Sequence, residues 1–291
     1  MNFVEFSVIF SKIYKDLAKA DSYVIFLLQR SKPLMAPIQI VISHKKGIYT
    51  MKAVIFNSGL GNRMGDFTAN NHKSMARLKD GETIFHRQIR LLSAEGIKDF
   101  LVTTGPFEEQ LKAEAADFPE LNFTFVRNDI YNKTNYIYSM YLAREYMDDD
   151  LVFLHGDLVF DRKLVHDVLA SPLKNTATVN FTKALPEKDF KGRVRDGKVL
   201  EVSIHIFDED CFAFQPFYKL DRATAAAWIA KVEEFIEKGQ DKCYAENALN
   251  EIFAQLDVRA FPYEGYYIDE IDNPEDYARV KEEILPFDRA E

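Results

Sequence analysis

Residues 51–65, MKAVIFNSGLGNRMG, join a short apolar run to a polar loop that is punctuated by glycine. The run KAVIF has the length and composition of a buried strand, and the loop follows it directly. From Met51 onward, short apolar runs alternate with helical segments, which is the pattern of βαβ crossovers and a mostly parallel sheet. The sequence therefore predicts an α/β fold with three layers, α/β/α, in which ligands bind at the carboxyl ends of the strands.

The predicted elements fall into two halves. In the first half we expect strands at residues 52–56, 98–104, 122–127 and 151–155, and helices at residues 83–96, 106–118, 134–147 and 162–171. In the second half we expect consecutive strands at 176–183, 193–204 and 211–220, helices at 222–239 and 244–256, a strand at 258–263 and a last helix from about Pro274. Thr83 is the expected N-cap and Gly96 the expected end of the first helix, and Asp196-Gly197 predicts a hairpin turn. The second half is therefore expected to be a mixed α+β region on the sheet.

Composition and charge exclude several classes of protein. The 291 residues are 47% hydrophobic and 29% charged, as in a soluble globular protein, and the longest apolar run, residues 23–28, is too short to span a membrane. The net charge of −9 disfavours nucleic acid as a partner, because phosphate backbones are bound by clusters of Lys and Arg. The chain has two cysteines, which fits a reducing compartment. We therefore expect a cytoplasmic protein without a membrane span, and its oligomeric state stays open.

Residues 1–50 differ from the remainder in charge. They hold seven Lys/Arg and three Asp/Glu, a balance of +4, so residues 51–291 carry −13. An amphipathic stretch at residues 3–20 precedes the apolar run, and a short β-like run follows at residues 38–42. We treat residues 1–50 as an N-terminal extension without an assigned role. It is either a small accessory element or sequence translated ahead of a natural start at Met51.

The glycine-containing loop has two interpretations from its residues alone. Gly59 and Gly61 let the backbone pass close to a ligand and direct N–H groups at its phosphates. The loop nevertheless fails both standard phosphate patterns, because it is not G-x-x-x-x-G-K-[ST] and a polar stretch replaces the helix that should follow G-x-G-x-x-G. An ordinary turn is therefore as good an interpretation as a phosphate site.

The same region resembles a known family. Residues 53–75, AVIFNSGLGNRMGDFTANNHKSM, are similar to the signature loop of the nucleotidyltransferases that join an NTP to a phosphorylated small molecule. The usual form of that loop is L-A-A-G-x-G-x-R-[ML], followed by P-K. The resemblance covers about residues 51–280 and extends in particular to the bacterial phosphocholine cytidylyltransferases. It implies a Rossmann-like, GT-A-like nucleotidyltransferase domain over residues 51–291, with an acceptor-binding second half.

The resemblance assigns roles to the loop residues. Arg63 would hold the triphosphate, and Lys73 would meet the α-phosphate. Two positions depart from the family pattern, since Asn57-Ser58 stands where the family has A-A and His72 stands where it has proline. Four residues would wrap the nucleotide phosphates: Ser58, Gly59, Leu60 and Gly61.

A second stretch of the family pattern lies at residues 127–143, RNDIYNKTNYIYSMYLA. It resembles N-P-x-Y-x-x-T-N-x-x-x-S, which lies over the nucleotide base in this family. The resemblance makes Asn128, Asn135 and Ser139 candidate contacts to a base edge. From residue type alone, the N-cap of a predicted helix is the better explanation of Asn135.

Two acidic positions are implied as metal ligands. In LVFLHGDLVFD, residues 151–161, Asp157 follows an apolar strand at the place where the family has its first Mg²⁺ ligand. The EID of residues 270–272 resembles the final metal motif, with Asp272 as the expected ligand and Glu270 as the next candidate. Without the resemblance, Asp157 would be a solvated strand end, and the acidic run would cap the helix at Pro274. Carboxylate oxygens are ligands that Mg²⁺ prefers.

The acceptor side depends most on the resemblance. Glu246 lies in CYAENALNEI, residues 243–252, and related enzymes for amine-bearing acceptors carry a similar acidic residue. Tyr218 is one of several aromatic residues in this half whose faces attract ammonium groups, although a buried core position is the alternative. The implied reaction is a Mg²⁺-dependent transfer of CMP from CTP to a phosphorylated amine, phosphocholine first, with Lys73 and Arg63 as catalytic residues.

Other functions remain open at this point. Within the same chemistry, the acceptor is alternatively a sugar 1-phosphate or 2-aminoethylphosphonate. Outside it, the chain is alternatively a nucleotide-sensing module without activity or a glycosyltransferase-like domain. An acceptor phosphate is already an anionic nucleophile, so we expect His155, His166 and His205 to be structural.

Overall fold

The computed structural model describes residues 51–288 and two short strands in the N-terminal extension. The chain divides into two units, Met1–Tyr49 and Thr50–Glu291. In the first unit, strand β1 (Val24–Ile25) pairs antiparallel with strand β2 (Ile42–Ser43). The amphipathic stretch predicted at residues 3–20 lies outside the described residues.

A central sheet organises the second unit. Within residues 51–288 it has nine strands in the order β5-β4-β3-β6-β11-β8-β12-β10-β9. In chain order these strands are β3 (Lys52–Phe56), β4 (Asp99–Thr104), β5 (Asn122–Arg127), β6 (Leu151–His155), β8 (Thr176–Asn180), β9 (Lys191–Arg195), β10 (Lys198–Ser203), β11 (Cys211–Leu220) and β12 (Arg259–Pro262). A short pair, β7 (Leu158–Phe160) and β13 (Ile268–Glu270), lies outside this sheet.

The sheet has a parallel half and a mixed half, as the sequence predicts. Strands β3 to β6 run parallel, which follows from the helices that connect them. Strand β11 then runs antiparallel to β6 and β8, and β9 and β10 form the hairpin at Asp196-Gly197. The β11 to β8 pairing shifts register between Gln215 and Tyr218, so the bulge accommodates Pro216 inside a long central strand. The predicted α/β class is confirmed.

Helices cover both faces of the sheet. In chain order they are α1 (Ile84–Ala94), α2 (Glu108–Ala115), α3 (Tyr136–Ala143), α4 (Arg162–Ala170), α5 (Arg222–Glu237), α6 (Ala245–Asn250), α7 (Pro274–Glu283) and α8 (Leu285–Asp288). One core cluster contains Ile89 of α1 and Leu164 of α4, and another contains Ile137 of α3 and Trp228 of α5. The two clusters lie on opposite sides of the sheet and give the molecule three layers.

Local signals account for the helix ends. The Thr83 side chain accepts a hydrogen bond from the His86 N–H, and Gly96 takes a φ of 95° just after α1, as predicted. The helix predicted at residues 244–256 is shorter, because α6 ends at Asn250 and only a turn of 3₁₀-helix, Phe253–Gln255, follows. The Asn250 side chain hydrogen-bonds both the N–H and the carbonyl of Val202 on β10, which fixes the end of α6 against the sheet. None of the helices within the described ranges is both long and apolar enough to cross a membrane.

Candidate active site

A cavity of about 400 Å³ opens at the carboxyl edge of the parallel strands. Its walls come from the glycine-containing loop, the ends of β3, β6 and β13, the start of α3, and the segments before β9 and α6. The lining residues are Phe56, Ser58, Gly59, Gly61, Asn62, Arg63, Lys73, Asn135, Tyr136, His155, Asp157, Lys188, Asp189, Phe190, Ile204, Tyr244, Glu270 and Asp272. The size is within the range of small-molecule sites.

The loop after β3 folds back on its own lysine. Gly61 has a φ of 65°, and a Cβ at this position would lie 2.9 Å from the Cβ of Lys73. The Thr68 hydroxyl donates to the carbonyl of Gly61 at 3.1 Å and so closes the loop from the other side. Glycine is thus required where the two arms of the loop meet.

Lys73 lies between two carboxylates. Its Nζ donates to Asp157 Oδ2 at 2.5 Å and to Asp272 Oδ1 at 2.9 Å, and Arg63 binds the other oxygen of Asp272 at 2.9 Å. Burial would lower the pKa of the Lys73 ammonium, but the charges of Asp157 and Asp272 raise it above its ordinary value. Burial would likewise raise the pKa of the Asp157 carboxyl, and Lys73 holds it below its ordinary value. Both groups are therefore charged at neutral pH.

A second group of carboxylates borders this cluster. One oxygen each of Asp189, Glu270 and Asp272 lies within 4.8 Å of the others. Burial, with the charges of Asp157 and Asp272 next, raises the pKa of the Glu270 carboxyl well above its usual range. Burial also raises the pKa of Asp189. Neither side chain forms a hydrogen bond or an ion pair with the residues that the structure describes, so both are open to a cationic group.

The acidic cluster fits a divalent cation. Asp157 Oδ1 is buried and has no hydrogen-bond partner among the described residues. It lies beside the carboxylates of Glu270 and Asp272, and hard cations prefer oxygen ligands of this kind. Lys73 supplies the positive charge between the two aspartates in this structure. The residues that would hold a cation are therefore Asp157 and Asp272, with Glu270 next to them.

His72 gives Lys73 the backbone geometry of a proline-preceded residue. His72 has φ −67° and ψ 143°, within the range that a proline ring imposes. Its N–H donates to Gln110 Oε1 of α2 at 2.8 Å, which proline could not do. Burial lowers the pKa of the His72 imidazole to about 4, so the ring is neutral at physiological pH. This departure from the family pattern thus preserves how the lysine is presented.

The residues predicted to read the base are placed differently from one another. Asn128 is buried, and its amide donates to the hydroxyls of Ser139 and Thr134 and accepts from the N–H of Ile130. These bonds hold the turn before α3, and neither Asn128 nor Ser139 lines the cavity. Asn135 does line it, and its side chain also accepts from the Tyr136 N–H as the N-cap of α3.

The predicted acceptor residues lie behind the cavity wall. Glu246 is 1% exposed and accepts hydrogen bonds from the hydroxyls of Tyr136 and Tyr218. Tyr218 is also 1% exposed and packs on Trp228. Glu246 and Tyr218 are therefore absent from the cavity lining. Tyr218 binds Glu246, and Glu246 in turn binds the hydroxyl of Tyr136, whose ring forms part of the wall.

Aromatic residues that sequence reasoning missed form the far end of the cavity. The rings of Tyr136 and His155 are 4.8 Å apart, and those of Phe190 and Tyr244 are 4.9 Å apart. Both pairs line the cavity that Asp189 also lines. No motif position marks these residues, and the only signal is that Tyr136 lies near the start of one predicted helix and Tyr244 begins another. His155, expected to be structural, belongs to this wall.

Comparison with known proteins identifies the domain. Residues 53–190 match the MobA-like NTP transferase domain. The chain carries an NTP transferase domain. The matched residues extend from β3 to Phe190 of the cavity and so include the loop, Lys73 and Asp157.

Relatives of the NTP transferase domain agree with this identification. Choline-phosphate cytidylyltransferase of Streptococcus pneumoniae is 26% identical over 236 residues, 81% of this chain and 98% of that protein. CMP-5'-(3-aminopropyl)phosphonate synthase of Streptomyces rubellomurinus is 27% identical over 123 residues, 42% of this chain and 19% of that protein. The solved structure of CTP:phosphocholine cytidylyltransferase from Streptococcus pneumoniae shares the fold, with a TM-score of 0.68 at 23% identity over 81% of this chain and 99% of that one. The chain is an enzyme of the nucleotidyltransferase type.

Proposed function

We propose that this enzyme transfers CMP from CTP to a small phosphorylated amine, with Mg²⁺ as its cofactor and pyrophosphate as the leaving group. Phosphocholine is the first candidate for the acceptor. The observation that carries the proposal is the polarity of one cavity. Its loop end holds backbone N–H groups, Arg63 and Lys73, which suit phosphates. Its far end is formed by aromatic rings, and Asp189, which forms no ion pair with the described residues, supplies a carboxyl group to the same cavity; rings and a carboxylate together suit an organic cation.

The chemistry requires alignment more than activation of a nucleophile. An oxygen of the acceptor phosphate attacks the α-phosphorus of CTP, and the bond from that phosphorus to the bridging oxygen breaks, so pyrophosphate leaves with the electron pair. Ser58, Gly59 and Gly61 would direct N–H groups at the triphosphate. Lys73 and Arg63 would neutralise the charge that develops on the phosphate oxygens. Mg²⁺ bound at Asp157 and Asp272 would add a Lewis acid at those oxygens.

Recognition of the amine would come from the far end. A trimethylammonium group cannot donate strong hydrogen bonds, so it is bound by aromatic faces and by nearby negative charge. Phe190, Tyr136 and Tyr244 supply rings, and Asp189 supplies a carboxylate that forms no ion pair within the part of the chain that the structure describes. Glu246 would then act indirectly, through the Tyr136 hydroxyl that it binds.

A phosphonate acceptor is the second candidate. A primary ammonium, as in 2-aminoethylphosphonate, would donate hydrogen bonds to Asp189 and Glu270 directly, and the relative from Streptomyces rubellomurinus is named for an aminopropylphosphonate product. A sugar 1-phosphate is supported less well, because its neutral hydroxyls would not offset the negative charge of the carboxylates in the lining, whereas an ammonium group would.

The test is pyrophosphate release from purified protein with Mg²⁺, each NTP in turn, and a panel of phosphocholine, 2-aminoethylphosphonate and glucose 1-phosphate. We expect turnover with CTP and phosphocholine, and Asp157→Asn should abolish it. Asp129→Asn is the matched control, because Asp129 is an exposed carboxylate whose bond to Arg127 lies outside the cavity. The proposal would be overturned if none of the acceptors gave turnover, or if the Asp157→Asn variant were as active as the control.

A further inference from the structure

Lys191 is a buried cation that directly follows two residues of the cavity wall in the chain. It begins β9, directly after Asp189 and Phe190, and its relative exposure is 0%. Its Nζ donates to the carbonyl of Pro186 at 3.0 Å and to the carbonyl of Ile204 at 2.6 Å. The ammonium also lies 4.1 Å from the ring centroid of Phe207. One charged group therefore joins three points on two separate segments.

The cost of this arrangement suggests a purpose beyond packing. A buried ammonium without a paired carboxylate is unfavourable; Lys191 forms no ion pair within residues 51–288, and the charge of Asp189 offsets only part of the effect of burial. Burial accordingly lowers its pKa below the ordinary lysine value. Carbonyl oxygens and one ring face replace water around the charge. A methionine would fill much of the same space without that cost, but it could not hold the two carbonyls.

Both segments that Lys191 joins contribute to the cavity wall. The segment at Pro186 continues into Lys188, Asp189 and Phe190, which all line the cavity. Ile204 lines it as well, and a side chamber of about 230 Å³ lies behind this wall. The side chamber shares Phe190, Ile204 and Tyr244 with the main cavity. The Lys191 bonds thus fix the partition between the two spaces.

We propose that Lys191 is a positioning residue for the acceptor, which holds the wall formed by Asp189, Phe190 and Ile204 at its distance from the phosphates. The inference rests on the proposed function for the meaning of that wall. Lys191 itself is absent from the cavity lining and touches no reacting atom. Its effect is therefore expected in acceptor binding and not in the binding of CTP, whose phosphates belong to the loop end.

The first test compares Lys191→Met with Lys219→Met. Lys219 is a matched control, because it is another buried lysine whose ammonium binds only carbonyls, those of Val168, Leu169 and Ser171 at the end of α4. We expect Lys191→Met to raise the acceptor KM by about tenfold with the CTP KM within about twofold, as the displacement of a binding wall would do. Lys219→Met should lower stability and leave the acceptor KM unchanged.

Two further variants protect the test against simple loss of folding. Lys191→Arg should partly restore the acceptor KM, because a guanidinium can donate to both carbonyls and lie over the same ring. Phe207 is 56% exposed, so Phe207→Ala should fold normally and raise the acceptor KM in the same direction by a smaller factor. An equal rise in both KM values for Lys191→Met, or no rise in either, would overturn the inference.

Hydrogen exchange separates this inference from the proposed function. Without the lysine bonds, backbone amides of residues 184–190 and 203–208 should exchange about tenfold faster, while those of residues 57–75 should not change. Lys219→Met should leave all three segments unchanged. If wild-type protein converts no acceptor but Lys191→Met shows this selective increase, the proposed function fails, and what stands is that Lys191 fixes this part of the cavity wall. Unchanged exchange in both wall segments removes the positioning role.

Discussion

The carbonyl of Asp157 accepts a hydrogen bond of 3.1 Å from the N–H of Ile271. This bond continues the pairing of β7 with β13, in which Leu158 lies opposite Glu270. Two segments that are far apart in the chain are thereby fixed so that Asp157 and Asp272 can both reach the Lys73 ammonium. The small sheet therefore fixes the segment of Asp272 against that of Asp157, which itself follows β6 of the large sheet.

The first prediction concerns the lysine between those carboxylates. Lys73→Met should lower kcat/KM by about 10²–10³-fold, because it removes a charge aimed at the phosphates. The measurement is steady-state pyrophosphate release. Lys79→Met is the control, since Lys79 is a partly exposed lysine that pairs with Glu282 outside the cavity. A loss of less than about threefold for Lys73→Met would contradict the assigned role.

The second prediction separates the acceptor residue expected from sequence from the one that the structure places in the cavity. Asp189→Asn should raise the acceptor KM by about tenfold, because it removes a charge from the cavity wall. Glu246→Gln also removes one negative charge, but its amide can still bind both tyrosine hydroxyls, with the oxygen accepting from one and the N–H donating to the other, so the acceptor KM should rise by less than about threefold. Initial rates over a range of acceptor concentrations give both values, and the reverse order would restore Glu246 as the direct contact.

The third prediction is that the free energy of unfolding decreases on the acid side of neutral pH; we call this part of the pH profile the acid limb. The unfolded chain protonates His72 below a pKa of 6.5, whereas the buried ring resists protonation until the pKa of about 4. Between these values the unfolded state binds more protons, so the free energy of unfolding should fall by up to about 3 kcal/mol as the pH decreases, and this contribution should level off below pH 4.

Urea denaturation at several pH values measures this limb. His72→Asn should flatten it, because asparagine has no group that titrates in this window. His166→Asn should not, since His166 is an exposed residue paired with Glu95. A wild-type limb that persists in His72→Asn would assign the effect to another group.

The fourth prediction concerns a steric fit below the loop. A Cβ on Gly156 would lie 1.6 Å from Asn57 Oδ1, so Gly156→Ala should destabilise the protein by about 2–4 kcal/mol. The Asn57 amide is buried, and neither its nitrogen nor its oxygen has a hydrogen-bond partner among the described residues. Asn57→Ala should therefore cost little, and the double variant should recover much of the lost stability. Additive effects of the two substitutions in a double-mutant cycle would refute this fit.

Much of the fold could be predicted because its signals are local. Strand and helix alternation, the Thr83 cap and the Asp196-Gly197 turn each depend on neighbouring residues, and the structure confirms them. Residues that the family motif marks, such as Lys73 and Asp157, also meet in the cavity. Whether they act as proposed stays a prediction.

The far end of the cavity could not be predicted in the same way. Asp189 and Phe190 enter the wall because the segment before β9 is drawn toward Ile204, a contact between segments that no spacing pattern encodes. Glu246 was expected in that wall, but buried tyrosine hydroxyls turn its carboxylate into the interior. The three-residue pair of β7 with β13 is also too short to give a periodic signal.

The side chain of Gln110 changes what restrains the phosphate-side loop. Its amide donates to the carbonyl of Asn70 at 2.8 Å and accepts from the N–H of His72 at 2.8 Å, so one side chain of α2 grips both ends of a three-residue segment. Where the family has a proline, rigidity is covalent and belongs to the loop itself. Here a side chain of the neighbouring helix α2 restrains the loop. Substitutions of Gln110, outside the loop, should therefore change how freely Lys73 moves between carboxylate and phosphate.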